Sequence, residues 1–391
     1  MPASRFNSLD GLRGIAIALV FVHNCNVIGA RTDFGGHLFK GFVSIGWAGV
    51  TLFFVLSGFL ITRSLRATSG SPEYLRAFFG RRVLRILPVY YLTLAVIFVL
   101  WPLAGTVAPL VREDQSHQIW YWLFLTNWTH YFGLGGGALP HFWSLAVEEQ
   151  FYLIWPFVVR GTSARRLLVL CACLAVLSLL LRVVFVTNHA PIDATYQFTV
   201  SRMDALALGA AVAVLTESVR FRAFVALRIR LLLVAALAIF CLGALIQKGY
   251  RMDLPAGETA GFTLMALVLT LLVTACLAYE LEPGVRRPAW LEAIGSAPLR
   301  TLGLYSYAFY AFHVPLHLFV GLPLLERLGW RENISLSGAL LYLAALGALT
   351  VGVAWISWHL IEKRCLALKH RFVARPPTPG VPLPGGRAPL A

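Results

Sequence analysis

Long apolar runs recur along the whole chain and are separated by short polar or basic stretches. A membrane-spanning helix needs about 20 mostly apolar residues. At that length the pattern predicts an all-α, polytopic membrane protein with about ten transmembrane helices. The predicted spans are centred on residues 12–29, 44–63, 84–103, 143–159, 167–187, 201–216, 229–247, 260–280, 302–320 and 338–360. The spans at 143–159 and 201–216 have the weakest apolar pattern.

Composition and charge support a membrane protein. Of 391 residues, 58% are hydrophobic and 13% charged, whereas about 25% are charged in a soluble domain. Mean hydropathy is +0.73. Most of the 33 Lys and Arg residues fall on alternate connecting segments, which favours both termini in the cytoplasm. A basic rim facing the anionic lipid bilayer then explains the net charge of +15 without a nucleic acid partner.

The first predicted span contains two ionisable side chains, Arg13 and His23. Such a group inside a lipid-spanning helix costs about 2.5 kcal/mol or more, so chemistry, transport or a polar partner is the usual reason for keeping it. His23 lies about 15 Å beyond Arg13 along a helix, which places it near the middle of the bilayer. A neutral imidazole there can accept a proton from a hydroxyl, or it can simply bond to a neighbouring helix.

Two further features concern metals and domain limits. The six cysteines have no paired metal-ligand spacing, so no metal site is predicted. Residues 1–370 are predicted to form one transmembrane domain. The Pro- and Gly-rich residues 371–391 are predicted to be a disordered cytoplasmic tail.

Short blocks containing polar residues follow one another along the chain. They are Leu9–His23, Leu52–Ile61, Arg81–Tyr90, His141–Leu153, Arg202–Gly209, Ser306–Leu316 and Ile361–Lys363. In this order the blocks resemble the acyltransferase 3 family of integral-membrane O-acyltransferases. The resemblance covers roughly residues 5–365. Each block alone is a weak signal, but their order is specific.

The resemblance implies an enzyme that transfers an acyl group, often acetyl, from acyl-CoA as the donor co-substrate, with no permanently bound cofactor. The acceptor would be a hydroxyl of a surface glycan, a glycolipid or a macrolide-type natural product. The protein would be multi-pass in the bacterial cytoplasmic membrane, and a homo-oligomer is left open. His23 stands where the family has its histidine and is expected to be the general base.

The spacing of Arg13 and His23 departs from the family pattern. Nine residues separate them here, whereas family members usually have ten. Eleven helical steps return to within about 20° of the same face, while ten steps leave about 80°. Either the helix is locally overwound, or Arg13 does not line up with His23. Arg13 is expected to contact the acyl-CoA donor.

Arg82 and Arg85 are three residues apart and share a helix face at the predicted cytoplasmic end of the third span. Guanidinium groups bind phosphate oxygens bidentately. We therefore expect both to contact the pyrophosphate and 3′-phosphate of CoA. The alternative is an ordinary positive-inside anchor.

Two adjacent carboxylates, Glu148 and Glu149, lie near the start of the fourth predicted span. Adjacent helical residues point about 100° apart, so only one can face a given neighbour. Glu148 matches the glutamate that family members share and is expected to serve catalysis, as the partner of a histidine or of the acceptor hydroxyl. Glu149 is predicted to contact the acceptor. Alternatively, these are interfacial carboxylates that solvate an outer vestibule.

Four more residues are predicted to bind the acceptor. Arg202 and Asp204 lie near the outer start of the sixth span, where a structural ion pair is the alternative. Tyr310 and His313 are three residues apart in the ninth span and face one way, which suits an acceptor or acyl pocket. A helix-packing hydrogen bond is the alternative for this pair.

Together these residues predict one water-poor chamber, in which acyl-CoA enters past cytosolic arginines and His23 activates the acceptor hydroxyl. The rival hypothesis is a transporter or flippase of a lipid-linked sugar or small solute. Such proteins often carry a repeat that relates two halves of the chain. No such repeat is evident, since the segment 9–152 has no counterpart in 200–362.

Overall fold

The computed structural model describes residues 6–29, 33–105, 107–247, 250–252, 254–281, 287–330 and 334–373. Within these ranges the protein is all-helical and contains no β-strand, as the apolar pattern predicts. Most of the predicted tail, residues 374–391, lies outside the described residues.

Ten helices correspond to the ten predicted spans. They are α1 Asn7–Asn24, α2 Ala48–Thr68, α3 Tyr74–Ala95, α4 Trp143–Gly161, α5 Ala164–Thr187, α6 Met203–Leu215, α7 Ile229–Ile246, α8 Phe262–Leu281, α9 Ala297–Leu316 and α10 Leu336–Ser357. Seven helical stretches of the described chain are long and apolar enough to cross a membrane. They contain α2, α3, α5, α7, α8, α9 and α10. The total of about ten spans and the cytoplasmic position of both termini stay predictions.

Shorter helices extend or connect these ten. The α-helical ones are Phe34–Ser44, Trp101–Leu103, Pro109–Gln115, Ile119–Trp122, Ile192–Tyr196, Val219–Leu227, Ala289–Ile294, Leu322–Arg327 and Lys363–Ala367. The π-helical turns are Val96–Leu100, Gly257–Gly261, His317–Gly321 and Trp358–Glu362. The 3₁₀-helices are Thr126–Trp128, Pro140–Phe142, Val200–Arg202 and Leu368–Phe372.

The first helix is displaced from its predicted position. It runs from Asn7 to Asn24 instead of over residues 12–29, and the backbone N–H of Cys25 closes its end by bonding to the carbonyl of Phe21. His23 therefore lies in the last turn of α1 and not in the middle of a span. Its depth in the membrane stays a prediction.

Backbone contact between α1 and α9 fixes the centre of the bundle. A Cβ atom at Gly14 would lie 2.2 Å from the carbonyl oxygen of Leu299, and one at Gly303 would lie 1.9 Å from that of Asp10. Only glycine fits such a crossing, which is a common way for helices to associate in lipid. The helices α2 and α6 approach as closely at Gly58.

The helices differ in how much of their surface they bury. The exposed surface of α5 and α7 carries large apolar side chains, such as Leu180 and Leu237, which suits contact with lipid. The helices α1, α4 and α6, which fall outside the apolar stretches, bury much of their surface within the bundle. Their polar side chains therefore face protein, where an ionisable group in a membrane protein is best tolerated.

Candidate active site

Two cavities lie inside the helical bundle. The arginine cavity is lined by polar side chains from α1, α2, α3, α4 and α9, with apolar residues of α2, α3 and α4: Arg13, Ser57, Arg82, Arg85, Ser144, Glu148, Tyr152, Ser306, Tyr307 and Tyr310, then Val50, Phe53, Phe54, Leu56, Leu60, Ile61, Ile86 and Leu145. The histidine cavity is lined by Val20, His23, Asn24, Gly46, Trp47, Val50, His130, Pro140, His141, Trp143, Tyr196, Gln197, Tyr310, Val314, His317 and Leu318.

Tyr310 and Val50 form the partition between the two cavities, because they line both. The hydroxyl of Tyr310 donates to the carbonyl of His141 at 2.6 Å and is hydrogen-bonded to the hydroxyl of Ser144 at 2.6 Å. These bonds tie the partition to the start of α4. One chamber shared by His23 and the arginines stays a prediction, since His23 lines one cavity, the arginines line the other, and the two cavities adjoin at Val50 and Tyr310.

The division into two cavities also shows how Arg13 and His23 are placed relative to each other on α1. The helix is α-helical from Asn7 to Asn24, and Arg13 and His23 line different cavities. Of the two alternatives, the one in which these side chains do not line up matches the structure. One helix thus contributes an ionisable side chain to each cavity.

The arginine cavity brings together the three arginines that the sequence predicts for donor binding. Nη2 of Arg13 donates to Oγ of Ser306 at 3.1 Å, and the guanidinium of Arg82 lies 5.1 Å from the centroid of the Tyr152 ring. Within the described chain, none of the three arginines forms an ion pair with a carboxylate within 4.0 Å. Three cations and one carboxylate give this cavity a net positive charge.

Glu148 is the carboxylate of the arginine cavity, and its partner is a tyrosine. Its Oε2 accepts a hydrogen bond from the hydroxyl of Tyr152 at 2.7 Å, and that hydroxyl also bonds to Ser57. No histidine of the described chain hydrogen-bonds to Glu148. Glu149 is not among the lining residues of either cavity, and its Oε1 is buried without a hydrogen-bond partner.

His23 presents one free ring nitrogen in the histidine cavity. Its Nδ1 lies 2.9 Å from the carbonyl oxygen of Val43, and because a carbonyl only accepts, Nδ1 carries the proton and donates it. Nε2 then holds the lone pair. Within the described chain Nε2 has no hydrogen-bond partner, so His23 is oriented and open to a ligand proton.

His313 is fully engaged with protein groups. Its Nδ1 donates to the carbonyl of Tyr310 at 2.7 Å, and its Nε2 accepts from the side-chain amide of Asn24 at 3.0 Å. It is not among the lining residues of either cavity. The structure thus shows the helix-packing hydrogen bond that was the alternative, and it anchors the residue next to His23.

Arg202 and Asp204 are not among the described lining residues of either cavity and do not pair with each other. Asp204 accepts from Nη2 of Arg182 at 2.8 Å. Nη2 of Arg202 donates to Thr51 at 2.8 Å, and its guanidinium lies 4.5 Å from the centroid of the Phe262 ring. Asp204 therefore takes part in a buried structural ion pair whose cation, Arg182 on α5, the sequence did not reveal.

The loop before α4 covers the histidine cavity and is folded around one carboxylate. Asp114 accepts from the hydroxyl of Tyr121 at 2.8 Å and from the backbone N–H groups of Gly136 at 2.5 Å and Ala138 at 2.8 Å. Burial, reinforced by the Asp114 carboxylate, raises the pKa of Tyr121, so its hydroxyl stays protonated and donates. The loop supplies His130 and Pro140 to the cavity.

Several lining residues were not singled out as site residues from the sequence. Tyr152 is one helical turn after Glu148, and that i, i+4 spacing was a usable signal. Ser144 and Asn24 gave no signal of their own, because their partners Tyr310 and His313 are distant in the chain. Among the described residues, no group of three or more His, Cys, Asp or Glu is placed to hold a metal ion.

Polar residues of a buried helix core, gathered around two adjoining cavities, define a membrane-embedded enzyme or carrier. The family model described as "Acyltransferase domain" matches residues 6–359. The chain therefore belongs to this acyltransferase family, as the ordered motif blocks predict.

Two relatives cover most of the chain. YrhL of Bacillus subtilis (strain 168), provisionally named a peptidoglycan O-acetyltransferase, is 31% identical over 78% of this chain and 48% of its own length. The peptidoglycan O-acetyltransferase OatA of Listeria monocytogenes is 28% identical over 82% of this chain and 50% of its own length. The chain thus spans about half the length of these curated relatives.

A shorter match adds a third relative, a protein of Staphylococcus aureus (strain COL) provisionally named an O-acetyltransferase. It is 33% identical over 39% of this chain and 24% of its own length. No solved structure matches the chain significantly.

Proposed function

We propose that the chain is a membrane O-acetyltransferase that moves an acetyl group from acetyl-CoA, or another acyl group from its acyl-CoA, to a hydroxyl of a sugar-containing acceptor. The acceptor is a surface glycan, a glycolipid or a macrolide-type natural product. Family membership and the names of the relatives support the transfer activity. The free, oriented Nε2 of His23 in a cavity beside three unpaired arginines is the observation that carries the proposal.

His23 is the proposed general base. A base whose far nitrogen is held by a hydrogen bond keeps its lone pair in a fixed direction, and Val43 provides that bond. Nε2 accepts the hydroxyl proton as the acceptor oxygen attacks the thioester carbonyl. The new C–O bond forms, the C–S bond breaks, and the imidazolium returns the proton to the CoA thiolate.

The arginine cavity is the proposed donor site, with Arg13, Arg82 and Arg85 as ligands of the CoA phosphates. Charge-assisted, bidentate hydrogen bonds to phosphate are among the strongest that a side chain makes. The donor enters from the cytosol, and its thioester end extends past Tyr310 to reach His23. This requires a multi-pass protein in the bacterial cytoplasmic membrane with the arginine cavity on the cytoplasmic side.

Glu148 acts as a positioning residue in this scheme. It fixes the hydroxyl of Tyr152, and through it Ser57, on the wall along which the pantetheine arm passes. It also limits the net positive charge beside the three arginines. Its function is therefore exerted through Tyr152 and not through direct contact with a histidine.

The test uses the full chain in lipid nanodiscs with radiolabelled acetyl-CoA and hydroxyl acceptors. His23→Gln should lower kcat by about 10²–10⁴-fold, the usual contribution of a general base, and leave the KM for acetyl-CoA unchanged. His359→Gln is the matched control, because His359 is half-buried, bonds to a backbone carbonyl at 2.9 Å and is not among the described lining residues of either cavity. Wild-type protein that carries a labelled sugar across liposomes without covalent labelling would establish the rival transporter instead.

A further inference from the structure

Among the described residues, those that line the histidine cavity include no Asp, Glu, Lys or Arg, in contrast to the arginine cavity. The buried cation nearest in the described chain to its aromatic wall is Arg202, which lies behind the Tyr196 ring, 5.3 Å from its centroid, and is not a lining residue. A carboxylate or phosphate entering this cavity would lose its hydration shell without direct contact with a cation of the described lining.

Three large aromatic side chains, Trp47, Trp143 and Tyr196, line the same cavity. The rings of Trp143 and Tyr196 pack together with their centroids 4.7 Å apart. Indole and phenol rings offer a broad apolar face together with a polar edge. Such a wall suits the C–H face of a sugar ring, whose hydroxyl edge must then find polar partners.

Those polar partners are present as buried atoms without hydrogen bonds. Nε1 of Trp47, Nδ1 of His141 and Oε1 of Gln197 have no partner in the described structure, and all three residues are more than nine-tenths buried. Buried polar atoms are almost always paired, so three unpaired ones around one cavity mark a place for a ligand or water.

The unpaired atoms include both a donor and acceptors. The indole Nε1–H of Trp47 only donates. Nε2 of His141 lies 3.4 Å from the carbonyl of Ala311, so Nε2 carries the proton and Nδ1 accepts. Oε1 of Gln197 also accepts, while its Nε2 donates to Asp193 at 2.7 Å. Hydroxyl groups, which donate and accept at once, complement this set.

We propose that the histidine cavity is an acceptor subsite for an uncharged sugar ring, in which Trp47, His141 and Gln197 hydrogen-bond the hydroxyls that neighbour the one facing His23. This subsite rests on the proposed O-acetyltransferase function and adds an acceptor specificity to it. Neutral glycosides bind, and carboxylated glycosides do not. A buried polar wall of this kind discriminates strongly, because a ligand that fails to pair it leaves the wall groups unsatisfied.

Ligand binding can be measured without turnover, so the subsite is testable separately from catalysis. Saturation-transfer NMR on the full chain in nanodiscs uses matched probes, the methyl β-glycosides of glucose, galactose and N-acetylglucosamine and the corresponding methyl glucuronide and galacturonide. We expect the neutral glycosides to give saturation transfer and the uronides to bind at least tenfold more weakly. Equal binding of both sets, or binding of neither, overturns the subsite.

A pair of variants at one position separates recognition from folding. His141→Gln keeps a donor near the carbonyl of Ala311 and removes the acceptor Nδ1, whereas His141→Asn keeps a polar atom near the Nδ1 position. We expect His141→Gln to weaken glycoside binding by about threefold to tenfold, the range for one neutral hydrogen bond, and His141→Asn to restore part of it. Equal binding by the two variants contradicts the role of Nδ1.

Trp47→Phe removes the unpaired indole N–H and is expected to weaken glycoside binding by a similar factor. Trp155→Phe is its control, because Trp155 is equally buried but its Nε1 donates to Thr62 at 2.8 Å, away from the cavity. Unchanged binding in Trp47→Phe, or an equal loss in Trp155→Phe, overturns the assignment of Trp47.

The outcomes for the two proposals can be told apart. Neutral glycosides that bind to wild-type protein without accepting label from acetyl-CoA would support the subsite and refute the transferase. Label transfer that proceeds with an unchanged acceptor KM in Trp47→Phe and His141→Gln would support the transferase and refute the subsite.

Discussion

The arginine cavity and the histidine cavity share a wall but have opposite electrostatic character. Among the described residues, one is lined by three guanidinium groups without a carboxylate partner, and the other has no Asp, Glu, Lys or Arg in its lining. Low dielectric strengthens this contrast, because charges attract or repel more strongly in a bundle core than in water. Under the proposed function, two ligands of different charge would occupy adjoining places before any reaction occurs.

Few residues separate the two cavities. Only Val50 and Tyr310 line both cavities, and the phenol is held by bonds to Ser144 and His141. In the proposed mechanism, the pantetheine arm passes these two side chains to bring its thioester beside His23. The comparison therefore predicts that changes in the arginines affect the donor, changes near His23 affect the acceptor, and changes in Tyr310 affect both.

The largest expected effect is on stability and comes from residues outside both cavities. It is the reference against which the effects at the two cavities are compared. Arg182→Met leaves Asp204 as a buried, unpaired carboxylate, and removing one partner of a buried pair costs about 3–5 kcal/mol. We expect a much lower unfolding temperature in detergent, with the KM values for donor and acceptor unchanged in the folded fraction. A selective rise in acceptor KM would instead assign Arg182 and Asp204 to acceptor binding.

The second prediction concerns the donor side. Arg85→Ala should raise the KM for acetyl-CoA by about tenfold to a hundredfold, since a hydrogen bond to a charged group contributes about 1.5–3 kcal/mol, and should leave the acceptor KM unchanged. Arg81→Ala is the control, because Arg81 is not a lining residue and donates to the carbonyl of Phe372 at 3.0 Å. Equal effects of the two variants would show that general basicity, and not the cavity, binds the donor.

The smallest effect is expected at the partition. Tyr310→Phe removes a hydroxyl that makes two hydrogen bonds, each contributing about 1 kcal/mol. We expect acetyl-CoA hydrolysis in the absence of acceptor to rise a few-fold, because the barrier between donor and acceptor loosens. Tyr307→Phe, whose hydroxyl bonds only to the carbonyl of Ile86 in the described structure and which lines the arginine cavity alone, should not raise it.

Local sequence pattern was sufficient for the helices and for part of the site. Apolar run length placed a predicted span near each of the helices α1 to α10, and helical geometry narrowed the placement of Arg13 and His23 to two alternatives, an overwound helix or side chains that do not line up. Run length misjudged α1, whose polar first turn is helical because it packs in protein and not in lipid. The three arginines and Glu148 line one cavity, and Glu148 has a tyrosine and not a histidine as its partner; their roles stay predictions.

Side-chain contacts between residues far apart in the chain could not be predicted from the sequence pattern. The ion pair of Arg182 with Asp204 and the bond of Asn24 to His313 join helices far apart in the chain, and no periodicity encodes such partners. The division into two cavities depends on where one phenol on α9 meets the start of α4. The position of that contact is determined by helix packing, which depends on shape complementarity over the whole bundle.

The glycine crossing of α1 and α9 bears on how substrates gain entry. Gly14 and Gly303 bring these two backbones into direct contact, so a change of register between α1 and α9 would press side chains against a backbone carbonyl. We therefore expect His23, Tyr310 and Arg13 to keep their relative positions when a substrate enters or leaves. Cross-linking α1 to α9 should then leave turnover intact.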